Sequence, residues 1–270
     1  MRVFSEPETP GTGIGTTRRC MVLALATAAL PGQAWAQPLP VSATGGSLRL
    51  VATEFPPYTS ATLKNAGTAC AITRAALDRV GLSMVLQFRP WARAMVELQQ
   101  GQWDGVIGAW HSPEREAFMA FPHPLGITNR IGFMARAGLP LDVSDLNRLG
   151  GLKIGVVRDY ANPPAFDQAR LQRDEAFDDL SNLRKLLAGR IDLALIDKGV
   201  AFHLMRTQLP ESTKALVWLE PALAEVPLYT ALSRRDPQLK PRFTAFNKGL
   251  ADLQSSGALA KLLRHSASWL

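Results

Sequence analysis

Two charged residues, Arg115 and Asp197, stand near the ends of two copies of one local pattern. The first copy is GQWDGVIGAWHSPERE, residues 101–116, and the second is GRIDLALIDKG, residues 189–199. In each, an amphipathic stretch ends on a glycine, an aspartate follows three residues later, and a short apolar run comes next, at 106–109 and at 193–196. A run of that length after a helix reads as a strand of a parallel sheet, and open α/β sheets hold ligands beyond the carboxyl ends of such strands. Those ends therefore carry the chemistry. The first delivers Trp110, His111, Ser112 and Arg115; the second delivers Asp197. One edge offers a cation and aromatic surface and the other an anion, a pairing suited to the carboxylate and ammonium of a small zwitterion.

Asp104 and Asp192 read differently, as turn or cap residues that bond their own backbone after a glycine-ended helix. Arg115 also has a second reading. Ser112-Pro113-Glu114-Arg115 is a helix start with serine at the N-cap and proline at N1, in which an exposed arginine would pair with a helix glutamate.

The elements that must position these groups follow from periodicity and breakers. Residues 48–53 read as a strand running into Glu54-Phe55-Pro56-Pro57-Tyr58, where paired prolines exclude a helix. A helix over 71–80, a strand over 84–88 and a helix over 91–100 come next, so Trp91 sits in a first turn on the ligand side of the sheet. After an aromatic and proline-rich segment at 118–124, strands are expected at 127–135 and 153–157. The second of these exits into Arg158-Asp159-Tyr160 ahead of a helix from residue 165, another place where backbone N–H groups can face an anion. Helices at 181–188 and 198–207, short strands at 216–218 and 228–233, a long helical region to 256 and a last helix ending near 264 complete the chain. Strands and helices alternate almost throughout, which gives an α/β class with parallel sheets.

At 270 residues, 47% hydrophobic and 20% charged, the chain can bury a sizeable core as one large domain or two lobes. Residues 1–36 read as a secretory signal peptide: Arg18 and Arg19, an apolar run too short to span a membrane, then Ala34-Trp35-Ala36 as the cleavage site. Export removes Cys20 and leaves Cys70 alone, so stability comes from packing and not from an internal disulfide. The formal charge of +7 falls by one on cleavage, since the leader holds Arg2, Arg18 and Arg19 against Glu6 and Glu8. The remaining cations are scattered, which argues against a nucleic-acid footprint. The four histidines, His111, His123, His203 and His265, show no metal spacing, and no hydrolase elbow is present.

Taken in order, LRLVATEFPPYTS, FRPWARAMVELQQGQWDGVIGAWHSPEREAFMAFPHPL, KIGVVRDYANPPAF and LLAGRIDLALIDKGVAFHL resemble the periplasmic solute-binding proteins of polar amino-acid ABC transporters, the extracellular family 3. The likeness runs from about residue 47 to 264 and rests on many moderately specific motifs in the right order. It implies a type II clamshell of two α/β lobes, each a mostly parallel sheet flanked by helices, joined by two crossover strands. Lobe 1 would be 47–126 plus 227–270 and lobe 2 would be 127–226, with crossings near 126–128 and 226–228.

The resemblance implies that Arg115 grips a ligand carboxylate and Asp197 an α-amino group. Glu54 and Tyr58 would line the side-chain pocket with Trp91, and Trp110, Ser112, Arg158 and Asp159 complete the candidate set. It implies a non-catalytic periplasmic receptor, monomeric and without a cofactor or metal, that passes a small polar solute to a permease at the inner membrane. Two departures stand out. Hydroxyls usual before the arginine read Gly108, Trp110 and Ser112, and a Gly-Thr-Thr-like turn reads Asp159-Tyr160-Ala161. The gained acid and aromatics favour a cationic or amine-bearing ligand. The competing expectations are a periplasmic enzyme on the same scaffold, similar to cyclohexadienyl dehydratases and using Glu54, Asp159 or His111, and a ligand-sensing accessory module.

Overall fold

The computed structural model describes residues 46–138 and 141–267, with side chains as far as 264. The expected leader and its cleavage point lie outside the described residues.

Two sheets share one long strand. In the first, β1 (Ser47–Ala52) lies between β2 (Ser83–Phe88) and β3 (Gly105–Trp110), parallel to both. In the second, β6 (Ile154–Val157) lies parallel to β7 (Arg173–Ala176) and β8 (Leu193–Asp197), and β5 (Thr128–Arg136) runs antiparallel to β8. The shared strand is β9 (Leu216–Ser233), antiparallel to its partners in both sheets; residues 216–227 pair with β5, and 228–232 pair with β3. A two-residue β4 (Met119–Ala120) borders its last turn of pairing. Each sheet thus has a parallel centre of three strands closed by antiparallel ones.

Helices cover the sheets: α1 (Thr68–Asp78), α2 (Trp91–Gln99) and the single turn α3 (Pro113–Glu116) follow β1, β2 and β3. α4 (Pro164–Gln168), α5 (Asp179–Leu187) and α6 (Lys198–Gln208) follow β6, β7 and β8, and α7 (Leu239–Ser255) and α8 (Ala258–Ala267) end the chain. The apolar faces meet the sheets: α1 buries Ala69, Cys70, Ile72, Ala76 and Leu77. Gly249 of α7 lies against the Ala76 carbonyl, and a Cβ there has no room. Cys70 is fully buried, and burial pushes its thiol up to about 12, the behaviour of a small core residue.

Three sequence expectations change here. The short strands at 216–218 and 228–233 are parts of the single β9, because Glu220-Pro221 and Glu225 interrupt the apolar pattern without interrupting the strand. β7 was not anticipated, since RDEA is polar and only Ala176 is buried. Asp104 and Asp192 do not cap their own turns. Asp104 accepts the Arg49 N–H at 2.8 Å and Asp192 the Lys153 N–H at 2.9 Å, so each clamps the entry of the neighbouring parallel chain. Each N–H lies where the neighbouring strand has not yet begun, and the short carboxylate just ahead of that strand satisfies it.

Candidate functional site

The carboxyl ends of β1 and β3 and the start of α2 border a small, partly open pocket. Thr53, Phe55, Trp91, Gly108, Trp110 and Arg115 line it, and Tyr160 reaches it from the loop after β6 of the other sheet. The local chain explains the placement. Phe55 and Thr59 form an isolated bridge around the two prolines, and the Thr59 hydroxyl donates to the Thr53 carbonyl at 2.8 Å, which turns Phe55 and Tyr58 inward. In β3 the register with β9 shifts between Ile107 and Ala109, a bulge at Gly108 with φ of 90°. Bulges re-aim the side chains that follow them, here Trp110.

Arg115 is buried on α3 and does not pair with a helix glutamate. Its Nη1 donates to the Trp110 carbonyl at 2.8 Å and its Nη2 to the Asp159 carbonyl at 2.9 Å, and its guanidinium lies 4.8 Å from the Trp91 ring centroid. Burial lowers its pKa to about 10, because fixed carbonyl dipoles replace water only in part. The Trp91 indole N–H also donates to Asp159, at 2.9 Å. Asp159 has φ of 61°, a left-handed turn that aims its carbonyl at both donors while its side chain stays exposed.

Asp197 is nearly inaccessible and is not part of the cavity wall. One oxygen caps α6 through the Val200 N–H at 2.9 Å, and the other takes the Arg130 N–H at 3.0 Å. The Tyr58 hydroxyl and the Asn129 amide face the same carboxylate. Burial raises Asp197 to about 6, and burial together with Asp197 pushes the Tyr58 phenol well above its usual range. The sequence did not single out Asp179, the first residue of α5. It is buried, accepts from the Tyr160 hydroxyl at 3.3 Å, and is raised to about 7 by burial and then by Asp197. Asn129, fully buried, was missed as well; its Oδ1 accepts the Trp110 indole N–H at 2.8 Å.

The other candidates lie apart. Glu54 is exposed and accepts the Ala61 N–H at 2.8 Å. Ser112 is the N-cap residue of α3 without a side-chain cap bond. Arg158 is exposed, pairs with Glu175 at 2.9 Å and lies over Phe177. His111 is exposed and contacts Glu116 at 2.6 Å. The missed residues had a readable trace: a polar Asn within the alternating TNRIGFMAR, and an Asp-Asp pair at a helix start. Among the described residues, no group of three or more His, Cys, Asp or Glu is placed to hold a metal ion, and no helix is long and apolar enough to cross a membrane.

Comparison with known proteins places the fold. The chain is similar to a histidine kinase sensor domain resembling periplasmic binding proteins, at TM-score 0.72 and 22% identity, over 83% of this chain and 96% of that one. It is similar to a mutant of ArgBP from T. maritima, at TM-score 0.70 and 18% identity, covering 83% and 96%. It is also similar to an amino acid ABC transporter substrate-binding protein, AbpA from Streptococcus pneumoniae, bound to L-arginine, at TM-score 0.69 and 16% identity, covering 83% and 95%. No curated protein matches the chain. The two sheets joined through β9 are the two-lobed fold of these periplasmic binding proteins. The model of the bacterial extracellular solute-binding proteins, family 3, matches residues 49–267, and the chain belongs to that family.

Proposed function

We propose that the chain is a non-catalytic periplasmic receptor, a monomer, that closes two lobes on a small polar solute, amino-acid-like or amine-bearing, and delivers it to an ABC permease. The lobes are 47–126 with 227–270, and 127–226. The observation that supports this is convergence: groups after β1 and β3 of one sheet and after β6 of the other meet at one cavity, joined by Arg115 and Trp91 on the Asp159 carbonyl. A ligand favours closure only by touching both sides, and this is the place where it does so. In this reading Arg115 takes the acidic or carbonyl end of the solute, and the donor end lies toward Asp179 and Asp197.

A thermal-shift screen of amino acids, polyamines and organic acids tests the reading. A true ligand at about 100 times its Kd adds roughly 2.7 kcal/mol to stability. Calorimetry on Arg115→Ala then checks the site; an unchanged Kd removes Arg115 from it.

Asp179 favours a second reading, an enzyme on this scaffold. A buried carboxylate raised to about 7 beside the Tyr160 hydroxyl suits proton transfer better than the exposed Glu54, Asp159 or His111. Formation of an aromatic product from prephenate or arogenate, lost in Asp179→Asn, would favour it over the receptor.

A further inference from the structure

Four rings meet in the cavity, and one comes from the opposite side. Tyr160, carried by the loop after β6, has its ring centroid 6.1 Å from Phe55, 5.9 Å from Trp91 and 5.6 Å from Trp110. The interplanar angles are 84°, 88° and 73°, so three rings stand nearly perpendicular to a fourth, the edge-to-face geometry that aromatic pairs prefer.

The same two-residue segment fills the polar ends. The Asp159 carbonyl takes Arg115 Nη2 and Trp91 Nε1, both at 2.9 Å, and the Tyr160 hydroxyl donates to Asp179 at 3.3 Å. The segment thus presents an acceptor, a flat ring and a donor. These groups leave between them a cavity of only about 10 Å³, room for roughly one water. No solute enters while this ring stays in place.

We infer that Asp159-Tyr160 is a tethered stand-in for the solute, and that the solute is a small aromatic molecule with a carboxylate or carbonyl at one end and a hydroxyl or amine donor at the other. This rests on the receptor reading above. Such a solute repeats each contact it displaces. It meets the two N–H donors, the three ring walls and the Asp179 carboxylate, and it lets Asp159 leave its left-handed turn. A linear aliphatic solute would leave the ring walls unfilled. The tether also sets the apparent affinity: only the fraction of molecules with Tyr160 withdrawn is competent to bind.

The test is calorimetry on the full-length protein with 4-hydroxyphenylacetate, 4-aminophenylacetate and L-tyrosine against L-arginine and L-glutamine. Tyr160→Ala is expected to bind at least one aromatic probe about tenfold or more tighter than the parent protein, with the aliphatic pair unchanged. Tyr160→Leu keeps apolar bulk and guards against loss of folding; it is expected to tighten the same probe by a smaller factor, about threefold. Equal aromatic affinity in parent and variants, or a gain as large for arginine or glutamine, overturns the inference and leaves the receptor reading standing. If no probe binds any form, the inference falls; if the wider solute screen is empty as well, the receptor reading falls with it.

Discussion

The Trp110 indole N–H and the Asn129 side-chain oxygen are hydrogen-bonded at 2.8 Å, tying the exit of β3 to the start of β5. Both residues are buried, and the amide end of Asn129 faces the Asp197 carboxylate. Trp110→Phe keeps a ring in the cavity and strands the Asn129 oxygen, at an expected cost of about 1–3 kcal/mol in urea unfolding. Adding Asn129→Leu should recover part of that loss, because replacing both partners removes the unmet acceptor. Strictly additive losses would mean that the bond contributes nothing.

Arg115 carries two carbonyl bonds and a stack on Trp91 from a buried position. Arg115→Ala should lower stability by roughly 2–4 kcal/mol, counting two charge-assisted bonds and the lost stack. Arg115→Lys should recover little, since a compact ammonium cannot serve two carbonyls in one plane and lie flat on an indole. Equal stability of the lysine variant and the parent would show that charge alone matters.

Stability should fall as pH rises from about 4 to about 7. Asp179 and Asp197 have folded pKa values of about 7 and about 6 against an ordinary 3.8. Between those limits the folded chain holds more protons than the unfolded one, so raising the pH favours unfolding, by on the order of a few kcal/mol across the window. Asp179→Asn keeps an acceptor for Tyr160 and should flatten the slope and raise the melting temperature at pH 7.5. Melts from pH 4.5 to 8 with the same slope in the parent and this variant would contradict the assignment.

Restoring a hydroxyl at Gly108 should be costly despite open space. A Cβ there meets nothing nearer than a Thr59 methyl at 3.5 Å, but the backbone sits at φ of 90°. Gly108→Ser is expected to lose roughly 1–2 kcal/mol, the cost of a left-handed residue with a side chain. A chemical denaturation midpoint equal to the parent's would show that the bulge relaxes.

Gly249→Ala has the opposite cause. Its backbone is ordinary helix, but a Cβ collides with the Ala76 carbonyl where α7 crosses α1. Overpacking there should cost about 1–3 kcal/mol or more. Far-UV melts that show no change would mean that the two helices separate freely.

The sequence was most legible where local pattern and tertiary role coincide. β3 and β8 are short apolar runs behind glycine-ended helices, and Trp110 and Arg115 at the exit of β3 meet Trp91 at the exit of β2 on one pocket. It was least legible where a role depends on a distant partner. Asp197 was expected to face the same gap as Arg115; in the structure its oxygens serve the Val200 and Arg130 N–H groups, because it also has to begin α6. Asp179 and Asn129 look like surface-pattern polar residues until β7 and β5 put them behind Tyr160 and Trp110. Tyr160 was read only as a lost turn, since nothing in RDYANPP says that its ring crosses to the other sheet.

The long β9 bears on any attempt to dissect the molecule. Residues 216–227 and 228–232 are ladder partners on different sheets, so cutting the chain between them leaves each fragment with a raw, unpaired border. Such borders recruit other chains. Half-molecules expressed separately should precipitate, and only a split placed in a surface loop should yield pieces that reassemble.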